Sequence, residues 1–129
     1  MNSTLALVAL LSVSTAAQAE VFKCSFTEPF LSVTYDTATQ KLAENNAVEN
    51  KTRTFKKVNF SIAGAGDFLL QVNGTREIMR MRLTNSGSDG MSEIVFPYEV
   101  TYTTMNFESL IGGCSSTLLK QNGFRTKNK

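Results

Sequence analysis

The chain has 129 residues, two cysteines, no histidine and no tryptophan, and its 13 basic and 11 acidic side chains give a formal charge of +2. Without histidine, the commonest general base and metal ligand is missing, and Ser-His-Asp or Cys-His catalysis cannot be assembled. Lys120, Arg125, Lys127 and Lys129 carry four of the positive charges, which leaves −2 on residues 1–119, so no basic stripe for nucleic acid is expected.

Residues 1–19 read as a signal peptide. Leu5 to Val13 is an apolar run too short to span a bilayer, and Ala17-Gln18-Ala19 supplies the small-residue cleavage pattern. Cleavage leaves residues 20–129 as a periplasmic or secreted chain. Cys24 follows Val21-Phe22-Lys23 rather than small residues, so it is not a lipid attachment site. No second apolar run is long enough for a membrane span.

Period-2 alternation then dominates the chain, which is the signature of half-buried strands. "VFKCSFT" puts Phe22, Cys24 and Phe26 on one face, and "FLSVTY" aligns Leu31, Val33 and Tyr35. Between them, Glu28 and Pro29 read as a structural turn. "AENNAVENK" at 43–51 is polar without alternation and reads as a loop or a single helical turn. "KTRTFKK" at 51–57 reads as a solvated strand end.

"KVNFSIAG" groups Val58, Phe60 and Ile62, and "DFLLQV" groups Phe68, Leu70 and Val72, with a hairpin turn at Gly64-Ala65-Gly66. Asn73-Gly74 gives the strongest hairpin signal in the chain. "EIMRMRL" sets Met79, Met81 and Leu83 against Arg80 and Arg82. A methionine pair on a strand face reads as core filling.

"NSGSDGMSE" at 85–93 offers Ser86, Ser88, Asp89 and Ser92 as a partner-contact loop. Its donor spacing does not match a calcium-binding hand, and Asp-Gly suits a turn. "EIVFPYEVTYTT" aligns Ile94, Phe96, Tyr98, Val100 and Tyr102, and Pro97 requires an edge position or a bulge. "SLIGGCSSTLL" closes the series with Leu110, Cys114 and Leu118 in step. Residues 120–129 read as a basic flexible tail.

These runs predict an all-β domain over 20–119, a small antiparallel barrel or sandwich of seven to eight strands. Cys24 and Cys114 share the apolar parity of the first and last strands. In an oxidising compartment their default state is a disulfide, which predicts that the two strands are neighbours and the barrel is closed by the bridge.

Three segments resemble an uncharacterised family of small bacterial envelope proteins: "FKCSFTEPFLSVTYD" at 22–36, "DGMSEIVFPYEVT" at 89–101 and "LIGGCSS" at 110–116. The family pattern is Cys, Glu-Pro-Phe-Trp, Asp-Gly-Met-Ser, Pro-Tyr and a closing Gly-Cys. It occurs beside META-type and lysozyme-inhibitor-type β-barrel domains. Leu31 stands where that pattern has Trp, Glu93 where it has Asp, and Phe96 where it has Tyr. The resemblance implies an envelope location and a small β fold, and supplies no catalytic residues.

The expectation is a non-catalytic monomeric protein that binds an envelope protein or ligand, with no cofactor and no metal. The alternatives are a lysozyme inhibitor acting through Ser86 to Ser92, and a carboxylate-based hydrolase drawing on Glu28, Asp36, Asp67, Asp89, Glu93 and Glu99.

Overall fold

The computed structural model describes residues 19–27, 30–72, 76–104, 107–119 and 122–124. The proposed cleavage segment, the Glu28-Pro29 turn and the Asn73-Gly74 hairpin lie wholly or almost wholly outside these residues. Strands β1 (Val21–Phe26), β2 (Leu31–Asp36), β3 (Lys41–Asn46) and β4 (Lys51–Phe55) form a meander. It is followed by β5 (Asn59–Gly64), β6 (Asp67–Val72), β7 (Arg76–Gly87), β8 (Ile94–Thr103) and β9 (Ser109–Ser116).

One antiparallel sheet holds all nine in the order β4-β3-β2-β1-β9-β8-β7-β6-β5, and no helix occurs among the described residues. A short tenth strand, β10 (Asn122–Phe124), lies within the segment expected as a tail and pairs with the start of β8. The all-β antiparallel class is as expected. The count of seven to eight strands is not, and neither is closure.

The two extra strands are β3, most of which occupies the stretch expected as a loop, and β4, which lies where a solvated strand end was expected. Their pattern is obscured because one inward position of β3 holds a carboxylate: Leu42 and Glu44 are both buried. The sheet stays open because β4 and β5 are its two edges. Only Lys56-Lys57-Val58 joins them, and that segment is pinned elsewhere. The Val58 N–H donates to the Gln40 carbonyl at 2.9 Å, and the Tyr35 hydroxyl donates to the Val58 carbonyl at 2.7 Å.

The open sheet curls on itself. Phe60 of β5 stacks on Phe22 of β1 (5.8 Å between ring centroids) and on Tyr35 of β2 (6.3 Å), although β5 stands five places from β1 in the sheet. Phe68 and Tyr98 complete this aromatic group. Around it lie Val33, Leu42, Leu70, Met79, Met81 and Val100, all at 1% exposure or less. Each buried large apolar side chain stabilises by about 1.5–3 kcal/mol, so the core outweighs any single cross-link. Met79 and Met81 fill it as expected. Ile62 and Leu118 do not, at 71% and 54% exposure: Ile62 sits on the edge strand and Leu118 beyond the end of β9.

Cys24 and Cys114 are bonded and directly opposite in the β1–β9 register. Their strands are neighbours, as their parity predicts, but they lie in the middle of the sheet order, so the bridge staples the centre and closes nothing. Gly112 lets β9 approach β1 closely, and Gly113 makes room for Phe96 of β8. A Cβ on Gly112 would sit 2.3 Å from the Ser25 carbonyl, and one on Gly113 would sit 2.5 Å from the Phe96 ring. Pro97 lies where the β7–β8 register shifts between Leu83 and Gly87, the bulge its missing N–H calls for.

Candidate functional site

A second register shift shapes the open end of the sheet. Leu70 faces Met79 but Gln71 faces Glu77, so Ile78 is an extra residue on β7. Two neighbours, Ile78 and Met79, are therefore both buried, and the alternation before them is reversed. Arg76 falls in phase with Ile78, on the inward side. Glu77 faces solvent and pairs with Arg80 at 3.0 Å.

Arg76 helps line a cavity of ≈ 350 Å³ at the mouth left between the β4 edge and the ends of β6, β7 and β8. The β4 end contributes Thr54, Phe55 and the following Lys56. β6 and β7 contribute Val72, Arg76 and Ile78, and β8 contributes Tyr102 and Thr103. Phe55, Val72 and Ile78 supply its apolar lining, and the exposed Lys56 sits at the rim.

Tyr102 is 2% exposed, and its hydroxyl donates to the carboxylate of Glu44, itself 8% exposed. Burial, the hydrogen bond to Glu44 and the Glu44 charge together raise the Tyr102 phenol far above its ordinary value. The positive charges of Arg53 and Arg76 pull the other way, which places both guanidinium groups in the electrostatic reach of this pair. Arg53 stands opposite Glu44 in the β3–β4 register. The phenol is therefore a fixed hydrogen-bond donor and not an acid or base at neutral pH.

The Nη2 atom of Arg76 is buried and has no hydrogen-bond partner among the described residues. The Cζ atom of the same guanidinium lies over the Phe107 ring, 4.8 Å from its centroid. Phe107 belongs to the β8–β9 connection, where its N–H donates to the Thr104 carbonyl at 3.0 Å and the Glu108 carbonyl accepts from the Thr104 N–H at 2.9 Å. It takes φ = 62° and is 76% exposed.

The residues expected to form a contact loop build a self-contained turn. Asp89 Oδ1 accepts from the N–H groups of Met91 (3.0 Å) and Ser92 (2.8 Å), and Oδ2 accepts from the Ser92 hydroxyl at 2.6 Å. The Ser88 hydroxyl accepts from the Gly90 N–H, and the Ser86 N–H donates to Thr84 Oγ1. The Thr27 hydroxyl ties the loop to β1 through the Asp89 carbonyl. Slight desolvation would raise the Asp89 carboxyl, but the hydrogen bonds from Ser92 and the Met91 backbone prevail and hold it below its ordinary value.

The other carboxylates are dispersed. Asp36 accepts from the Ala38 N–H in its own turn, while Asp67 and Glu99 flank Arg82 in one cross-strand row, with Asp67 bonded to it at 3.2 Å. A smaller groove of ≈ 190 Å³ runs over Arg80, Arg82, Glu99 and Thr101, where both arginines already have carboxylate partners.

Sequence reasoning placed Tyr102 inward but did not single out Glu44, Arg76 or Phe107. The signals were faint: a carboxylate two residues after Leu42, an arginine opening the Met79–Met81 strand, and an aromatic at a turn. The chain matches no family model, no curated protein and no solved structure, so the site is defined by its own geometry.

Proposed function

We propose that this is a non-catalytic binding protein of the periplasm or extracellular space, which holds an envelope ligand or partner group in the cavity at the open mouth of the sheet. The observation that carries the reading is Arg76, which lines the cavity with Phe55, Val72 and Ile78 and whose buried Nη2 has no acceptor among the described residues. A preformed concave site with few polar groups is the usual form of a ligand pocket. The leader-like residues 1–19, the disulfide and the resemblance to envelope proteins support the location. No helix among the described residues is long and apolar enough to cross a membrane.

The rival readings have less support. A lysozyme inhibitor acting through Ser86 to Ser92 would have to present Asp89, whose carboxylate oxygens are engaged inside the turn. A hydrolase would need two carboxylates converging on one cleft, and Asp36, Asp67 and Asp89 each serve a separate local contact.

The test uses tagged mature protein, residues 20–129, recovered from an envelope fraction. Thr54 is exposed at the cavity rim, so Thr54→Trp narrows the mouth without overpacking the core. A ligand or partner retained by the wild type and lost from Thr54→Trp is the expected outcome. Equal retention by both forms contradicts the proposal.

A further inference from the structure

We infer that the mouth cavity takes a small amphiphile with a carboxylate head, gripped by Arg76 with Phe107 behind the guanidinium, and an apolar body laid against Phe55, Val72 and Ile78. The inference rests on the reading of the mouth as a binding site and names the class of ligand.

The first support is the state of Arg76. A guanidinium carries five N–H donors in a planar fork, and a buried charged donor without an acceptor is costly. Nη2 of Arg76 is in that condition. A planar anion that accepts two parallel N–H bonds is the natural complement of the fork, and a carboxylate has that shape.

The second support is Phe107. A left-handed backbone costs a residue with a Cβ about 1–2 kcal/mol, which is why turns of this kind favour glycine or asparagine. Phe107 takes φ = 62° while leaving its ring 76% exposed, so burial does not offset the strain. The Arg76 guanidinium lies over its ring. The ring takes no N–H bond in the plane of the guanidinium, so Nη2 is left without an acceptor among the described residues while the cation is held over Phe107.

Charge and size complete the case. Lys56 lies on the rim, and Arg53 and Arg76 both act on Tyr102, against the single carboxylate of Glu44, one of whose oxygens Tyr102 already occupies. The balance favours an anion. The cavity volume of ≈ 350 Å³ is near the lower end of the range for ligand sites, about 300–1,000 Å³, so the body of the ligand is short.

Calorimetric titration of the mature protein with octanoate, octanol and octylamine tests this. Octanoate is expected to bind more than about tenfold tighter than either other probe, since a desolvated charge-assisted pair is at stake. Arg76→Gln should weaken octanoate about tenfold to a hundredfold, and Arg76→Lys less, because the charge remains and the fork is lost. Phe107→Gly should weaken it about two- to fivefold while leaving the thermal midpoint equal or higher. Arg80→Gln, on the opposite face of β7, should change nothing.

Octanol binding as tightly as octanoate, or unchanged octanoate binding by Arg76→Gln, would overturn the carboxylate inference and leave the cavity a ligand site. No binding of any of the three at millimolar concentration would overturn both.

Discussion

At the scale of single residues, the Tyr102–Glu44 pair is where a polar network enters the core. Glu44 tolerates 8% exposure because the Tyr102 hydroxyl donates to it and Arg53 stands opposite. Tyr102→Phe removes the donor and leaves the carboxylate buried, which should destabilise the fold by about 2–3 kcal/mol in urea unfolding. Glu44→Gln should cost less, since its amide oxygen can still accept.

The three tyrosines also set an alkaline limit. Tyr35 is raised by burial and by Asp36, Tyr98 by burial and Glu20, and Tyr102 by burial and Glu44. A folded-state value above the unfolded value, about 10, means the stabilisation is complete below pH 10 and is lost as pH rises from there toward the folded values. Tyrosinate absorbance should therefore appear together with loss of tertiary structure. Ionisation of all three tyrosines near pH 10 in a protein that stays folded would contradict this.

Element by element, the strands show what local pattern can and cannot convey. β1, β2, β6 and β8 were legible because their inward positions are apolar at period 2. β3 was not, because Glu44 takes an inward place and breaks the apolar pattern. The site was harder to see than the strands. Arg76 faces inward only because Ile78 is inserted on β7, and a bulge of that kind is decided by pairing with β6 rather than by the sequence of β7 alone.

The β1–β9 seam gives a sharper test. The Cβ of Gly112→Ala would meet the backbone carbonyl of Ser25, which cannot swing aside, so the substitution should destabilise by about 1–3 kcal/mol in denaturant unfolding. Gly113→Ala meets the side chain of Phe96 and should cost less. The Asp89 turn should behave as an element of its own. Its stabilisation is present above the ordinary carboxyl value of about 3.9 and is lost as pH falls through the lower folded value, seen as faster amide exchange at Met91 and Ser92.

Across the whole molecule, the fold is a curled sheet with a staple through its middle and its two edges left apart. The Cys24–Cys114 bridge spans 90 residues of chain, for which the chain-entropy model gives about 4–5 kcal/mol. Reduction should thus lower the denaturation midpoint strongly while leaving the edge strands as they are. Cysteine parity revealed the neighbouring strands. It could not reveal openness, because closure depends on whether β4 and β5 can pair, and Val58 is instead tied to Gln40 and Tyr35. That refusal to close creates the mouth. Backbone amide shift mapping of the isotope-labelled mature protein with octanoate tests this account most directly. Shifts gathered at residues 54–56, 76–78 and 102–104 are the predicted result, and shifts gathered at residues 86–92 would contradict it.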